Sequence, residues 1–300
     1  MGCLCVCNTN SDTISIVNTE NLSLKKTINL RNKENTKVGP HGIIYYKNSI
    51  FVVNNYSNNL KIIENFDECN VENHYIGIHC NDLVIYDEKV YVACGESNSV
   101  VVFDMLTKKI IEEIPCENQP HSIEINDNKK LMVVSNFNSN SITLIDLEDS
   151  RRIYNIRVGE YPTKACFTHL GDKIIVCESN IGNHENGSIR VLSLKELKNE
   201  INIKVGKIPV DVFLTDKFSF VSNFGDGSID IIDLGKYIKK RSIYVGGMPR
   251  GIIVDKGKLF IGDNYNNILI KLDINGKIIK SIPIGKEPTG IAYFTHQLIL

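Results

Sequence analysis

Three hundred residues suffice for two average domains or one large all-β domain, and are ample to bury a core. A hydrophobic content of 42% with 23% charged residues excludes wholesale disorder. The 34 basic residues balance 35 acidic ones, so no global field draws in nucleic acid or an anionic membrane.

The chain opens with MGCLCVCNTNSDT, which lacks a basic stretch and loses its apolar character at Asn8. No secretory signal is expected, and no later run reaches the ~18 apolar residues of a membrane helix. Val6 stands where a myristoylation motif needs Ser or Thr. Nine cysteines, at 3, 5, 7, 69, 80, 94, 116, 166 and 177, are scattered and contain no CxxC pair. That pattern predicts reduced thiols in a cytoplasmic protein, without a disulfide framework or a zinc ribbon. Cys3, Cys5 and Cys7 alternate along one segment and so face one side of a strand, as small hydrophobic residues by default.

From residue 39 onward one landmark recurs: a turn ending in Pro, followed by an apolar run. It reads GPHGIIYY from Gly39, NQPHSIEI from Asn118, EYPTKACF from Glu160, KIPVDVFL from Lys207, GMPRGIIV from Gly247 and KEPTGIAYF from Lys286. GIHCNDLVIY from Gly77 is a degenerate copy in which His79 takes the proline position. The landmarks are spaced 39 to 42 residues apart except for one interval of 47. Each precedes a second apolar segment (SIFVVNNY, KLMVVSNF, FSFVSNF, KLFIGDNY) and a polar loop. A third segment, often ending in Asp, follows (SITLID, SIDIID, ILIKLD), then a fourth run into the next landmark. Four short β-branched runs per ~40 residues is the spacing of a propeller blade, not of a helical solenoid.

Residues before Pro40 supply LCVCN, ISIVN and KKTINL, three strands that lack a first one, and the C-terminal GIAYF provides it. The expectation is a seven-bladed, all-β propeller of four-stranded antiparallel blades, spanning 1–300 as one domain. Its N- and C-terminal strands share one blade, which leaves no free edge at the seam. Whether LCVCN or the terminal HQLIL pairs in that blade stays open.

The repeated P-x-G-I … VVSN-F … S-I-x-x-I-D pattern resembles YVTN-type repeats, as in YncE-like propellers, over essentially the whole chain. Such propellers host binding, scaffolding and several unrelated chemistries, so the resemblance specifies architecture. Single-stranded nucleic acid binding occurs among YncE-like proteins, and the neutral net charge disfavours it here.

In such a propeller the residues after each landmark converge on one mouth of a central channel. This places His41, Cys80, His121, Lys164, Asp211 and Arg250 there as ligand-binding candidates. Asn55-Tyr56, Asn136-Phe137, Asn223-Phe224 and Asn264-Tyr265 form a second ring, in which Tyr56, Phe137, Phe224 and Tyr265 either present a sticky rim or pack the loops. The 47-residue repeat lengthens the loop ESNIGNHENGS from Glu178 to Ser188, where His184 and Glu185 could reach the mouth. The basic stretch from Lys236 to Arg241 reads as a solvated strand connection.

Two function classes follow. The first is a non-catalytic binding or scaffold propeller, monomeric, holding a peptide, protein or small ligand without a cofactor. The second is a metal-assisted lyase or hydrolase in which His41, Cys80, Cys94, His121 and Glu178 supply ligands to a divalent metal. No GxSxG, HExxH, Walker A or GxGxxG context is present.

Overall fold

The computed structural model describes residues 2–32, 34–66 and 70–295. Among these, 28 strands form seven four-stranded antiparallel sheets, with one short 3-10 turn at Phe137–Ser139. The fold is a seven-bladed β-propeller. Blade 1 joins the chain ends, with Pro288–Thr295 beside Gly2–Asn8, Thr13–Asn18 and Ser23–Asn29. Blades 2 to 7 begin at Pro40, Cys80, Pro120, Pro162, Pro209 and Pro249. At the seam Cys5 pairs with Ala292 and Val6 with Ile291, so LCVCN is the strand that pairs with GIAYF. HQLIL lies outside the described residues.

Two compact units make up the chain. The first, running to Cys80 and resuming at Gly247, holds blades 1, 2 and 7; the second, Asn81–Gly246, holds blades 3 to 6. Within each unit the first strands of successive blades pack on one another, as Pro120–Asn126 does on Pro162–Phe167.

Local chemistry explains the repeat. The residue before the proline has positive φ in five landmarks: Gly39, Gln119, Tyr161, Ile208 and Glu287. The first strand then carries a bulge, with register slips at Pro40/Gly42, Pro120/Ser122, Pro162/Lys164 and Pro209/Asp211. Bulges re-aim side chains, and here they turn the residue after the landmark toward the neighbouring blade. Thr163 Oγ1 donates to the Pro209 carbonyl at 2.8 Å, and Asn81 Nδ2 to that of Pro120 at 2.9 Å. The Asp that closes the third strand of blades 3, 4, 6 and 7 is an Asx-turn acceptor: Asp104 Oδ1 takes the N–H groups of Leu106 (3.0 Å) and Thr107 (2.6 Å). Asp233 does the same for Gly235 and Lys236.

Second and third strands are buried along nearly their full length, and fourth strands are exposed. Phe103, Phe220 and Phe260 are fully buried, each contributing about 1.5–3 kcal/mol. The outer edge is bulged between third and fourth strands in blades 1, 3, 5, 6 and 7, and lysine-rich at Ile238–Tyr244, which discourages edge-to-edge pairing. The basic stretch from Lys236 is this solvated edge.

Cys3, Cys5 and Cys7 pack with Ile14, Ile43, Ile50 and Phe294 in the core between blades 1 and 2, and burial pushes the Cys5 thiol well up. Among the described residues no disulfide is present. Alkylation of the native protein should therefore spare Cys3, Cys5, Cys7, Cys80, Cys94, Cys166 and Cys177, all buried, until denaturant is added. Mass spectrometry of labelled peptides checks this, and rapid native labelling of any of the seven would contradict the packing. No helix of the described residues is long and apolar enough to cross a membrane.

Candidate functional site

Second-strand register corrects two of the alignments made from sequence. In blade 3 the positive-φ residue is His79 (φ 61), so Cys80, not His79, holds the proline position. Asn81 is then the counterpart of Thr163, as its bond to Pro120 shows, and Asp82 is the counterpart of Lys164 and Asp211. Cys80 is thus a buried landmark residue whose Sγ donates to the Gly77 carbonyl at 3.1 Å, not the residue that follows the landmark.

The aromatic ring also dissolves. Asn54, Asn136, Asn223 and Asp263 each stand opposite their landmark proline. Phe137 and Phe224 come one residue later, Tyr56 and Tyr265 two residues later. The tyrosines are 54% and 69% exposed, whereas Phe137 packs on the rings of His121 and Tyr161 at 5.7 and 5.2 Å. Phe224 is half-buried. The same register makes Asn8, Asn136 and Asn223 the counterparts of Glu178.

In the first unit the structure joins His41 and Arg250. Arg250 Nη2 donates to His41 Nε2 at 3.0 Å, reaching past the first strand of blade 1. The remaining positions there are closely packed: a Cβ on Gly290 would strike the His41 carbonyl.

In the second unit the corresponding positions carry charge. Lys164 Nζ lies 3.0 Å from Asp82 Oδ2 and, with Asp211 and Glu124, completes a four-residue cluster on the first strands of blades 3 to 6. Main-chain N–H groups hold the carboxylates: Leu83 N to Asp82 Oδ1 (3.0 Å), Val212 N to Asp211 Oδ1 (3.0 Å) and Phe167 N to Glu124 Oε1 (2.9 Å). Burial works against the Lys164 charge, but Asp82, Asp211 and Glu124 outweigh it and raise its pKa above the ordinary lysine range. Burial pushes Glu124 up to about 7, and Asp82 and Asp211 push the same way against Lys164 and the Phe167 N–H. A buried charge cluster shifts a carboxyl in this way whether it serves the fold or a site. Sequence reasoning singled out Lys164 and Asp211 and missed Asp82 and Glu124.

His121 does not join this cluster; its Nδ1 bonds the Thr163 carbonyl at 2.7 Å and ties blade 4 to blade 5. Cys94 is buried, with Sγ 3.6 Å from the Val92 carbonyl. Glu178 is 1% exposed and fully engaged: Gly159 N (2.7 Å), Ser188 Oγ (2.6 Å) and the Arg190 guanidinium all donate to it. Among the described residues no three His, Cys, Asp or Glu side chains converge tightly enough to hold a metal ion.

Blade 5 departs from the repeat at the loop after Glu178. Other blades join second and third strands through four residues, as in 55–58 or 224–227; blade 5 uses 179–187. This loop walls a polar cavity of about 600 Å³ floored by Glu178, Arg190 and Asn202 and rimmed by Glu160, Asn183, His184 and Glu185. Asn183 Nδ2 donates to Glu160 Oε2 at 2.5 Å, and Asn180 Nδ2 to the Asn186 carbonyl at 2.9 Å, which shapes the loop over the cavity.

Seven four-stranded antiparallel blades, with a charged cluster on the first strands of blades 3 to 6 and one elaborated loop, define a seven-bladed β-propeller. The sequence matches no family model and no curated protein. It is similar in structure to a functionally unknown protein from Desulfotomaculum acetoxidans, at 17% identity over 97% of this chain and 98% of that one, with a TM-score of 0.79. Kuenenia stuttgartiensis hydrazine synthase aligns at 18% identity over 86% of this chain and 90% of that one, with a TM-score of 0.77. A streptogramin B lyase aligns at 13% identity, 85% and 87% coverage and a TM-score of 0.70. At these identities the likeness is one of fold.

Proposed function

We propose that this protein is a non-catalytic binding propeller of the YVTN type, acting in the cytoplasm, with its ligand seat in the polar cavity of blade 5. The observation that carries the reading is the extended 179–187 loop, which opens a cavity where the other blades have four-residue turns. Extra loop residues in a repeat fold cost little stability and concentrate on the binding side. Glu160, Glu178 and Glu185 face a single Arg190, so the cavity favours a peptide or small ligand that presents a basic, hydrogen-bond-donating group.

Fluorescence anisotropy with Lys/Arg-containing and Asp/Glu-containing hexapeptides tests this, using the wild-type chain and a variant whose 179–187 loop is replaced by the blade 6 turn Phe-Gly-Asp-Gly. Basic peptides should bind, and the replacement should weaken them at least tenfold while leaving the β circular dichroism intact. Equal binding by both proteins, or a preference for acidic peptides, would overturn the proposal.

A further inference from the structure

A second cavity lies in the same unit at the other end of the first strands, beyond the ends remote from the proline landmarks. It measures about 300 Å³, at the lower end for small-molecule sites. Phe167, Val212, Phe213 and Leu214 give it an apolar wall, and Glu124 is the acidic group inside it. Only Phe167 N donates to Glu124, through Oε1, so Oε2 has no protein hydrogen bond among the described residues. The mouth carries Asp216 and His169, whose Nδ1 is 3.7 Å from Asp216 Oδ1; both are well exposed.

We infer that this cavity is a binding site for a small primary amine with an apolar or aromatic body, whose ammonium group bonds Glu124. The charge pattern selects the class. Glu124, Asp216, Asp82 and Asp211 repel a carboxylate ligand, and Lys164, the cation that pulls on Glu124, is committed to Asp82. A neutral alcohol gains the apolar wall and can donate one hydrogen bond, but it leaves the Glu124 carboxylate without a counter-charge. An ammonium group supplies donor and charge together, and the rings of Phe167 and Phe213 suit the carbon body.

The free carboxyl is held partly neutral by burial, against the pull of Lys164, and a bound ammonium ion returns it to the charged form. Binding therefore releases a proton from Glu124 and tightens as pH rises. With half-ionisation at about 7, affinity should increase about tenfold from pH 6 to pH 8. His169 stands at the mouth, and His169→Asn controls for its presence there. Cys166, the thiol in the lining, stays neutral throughout because burial and Glu124 raise its pKa.

The probe is 2-phenylethylamine, with 2-phenylethanol and 3-phenylpropanoate as neutral and anionic counterparts, measured by calorimetry in two buffers of different ionisation enthalpy. The amine should bind with a dissociation constant of about 1 mM or tighter. It should release a proton near pH 7 and outbind both counterparts at least tenfold. Glu124→Gln, which keeps the acceptor for Phe167 N, should lose tenfold affinity at pH 8 and the pH dependence. His169→Asn should keep both. Leu214→Trp, which fills the cavity from one wall and leaves Glu124 in place, should abolish binding, and the loop-replaced blade 5 variant should bind the amine unchanged. Absence of amine binding to the wild-type chain, equal binding by Glu124→Gln, or tighter binding of the propanoate would overturn the inference.

Discussion

Lys164→Met should destabilise the protein by about 2–3 kcal/mol at pH 8 and by clearly less at pH 6. Methionine matches the lysine stem in length, so packing is nearly kept and the charge alone is lost. Asp82, Asp211 and Glu124 then lose the cation whose charge all three share. Removing one partner of a buried ion pair costs about 3–5 kcal/mol; here the Lys164 and Asp82 side chains keep 24% and 22% exposure, and solvent screening lowers the figure. The pH dependence comes from Glu124. Its carboxyl titrates at about 7 in the folded protein against 4.5 as its ordinary value, so the folded state holds that proton more firmly. Stability from this group is fully present below the unfolded pKa and is lost as pH rises through about 7. Without Lys164 the largest influence lowering the Glu124 pKa is gone, so the loss by pH 8 is greater. Urea unfolding at both pH values measures it, and Glu124→Gln should flatten the difference. A substitution cost equal at pH 6 and pH 8 would show that Lys164 and Glu124 do not interact.

The blade count and the seam were legible because they rest on recurring turn chemistry. Proline after a positive-φ residue, met in five landmarks, and Asp closing the third strand, met in four blades, are local turn devices that recur often enough to mark the period. Blade 3 shows where such reading slips. With no proline to mark the position, His79 was taken for it, although His79 is the positive-φ residue and Cys80 the landmark. One residue of error put Cys80 among the candidates and left Asp82 out, and a strand's side chains change face with each step. The Asn-aromatic ring slipped for a similar reason: Asn54, Asn136 and Asn223 are the aligned residues, and the Asn-Tyr pairs start one position later. Glu124 was hidden because its strand reads HSIEIN, in which an alternating Glu resembles an ordinary outward-facing residue. What marks it is the set of charges on blades 3, 5 and 6, and that set exists only after the first strands are laid side by side. The blade 5 cavity was signalled by the 47-residue interval, a length anomaly that needs no register at all.

Glu178→Ala should cost about 3–5 kcal/mol, and the loss should be the same with or without EDTA. The carboxylate is 1% exposed, accepts from Gly159 N and Ser188 Oγ, and neutralises Arg190, whose own side chain is 18% exposed. Alanine leaves a largely buried guanidinium without its counter-charge and a main-chain N–H without its acceptor, both expensive in this setting. Removing both partners in Glu178→Ala/Arg190→Ala should recover part of the loss, because no uncompensated charge then remains; the coupling in the double-mutant cycle should be 1 kcal/mol or more. Glu178→Gln keeps an acceptor in place and should fall between wild type and alanine. The EDTA arm separates this role from the metal-ligand role expected of Glu178 from sequence. A carboxylate that holds an ion would make the wild-type chain lose stability on chelation. One that holds Gly159, Ser188 and Arg190 gives the same wild-type unfolding curve in both buffers. A Glu178→Ala cost below about 1 kcal/mol would mean that the ion pair does not organise the floor of the blade 5 cavity, and the proposed ligand seat would lose its support.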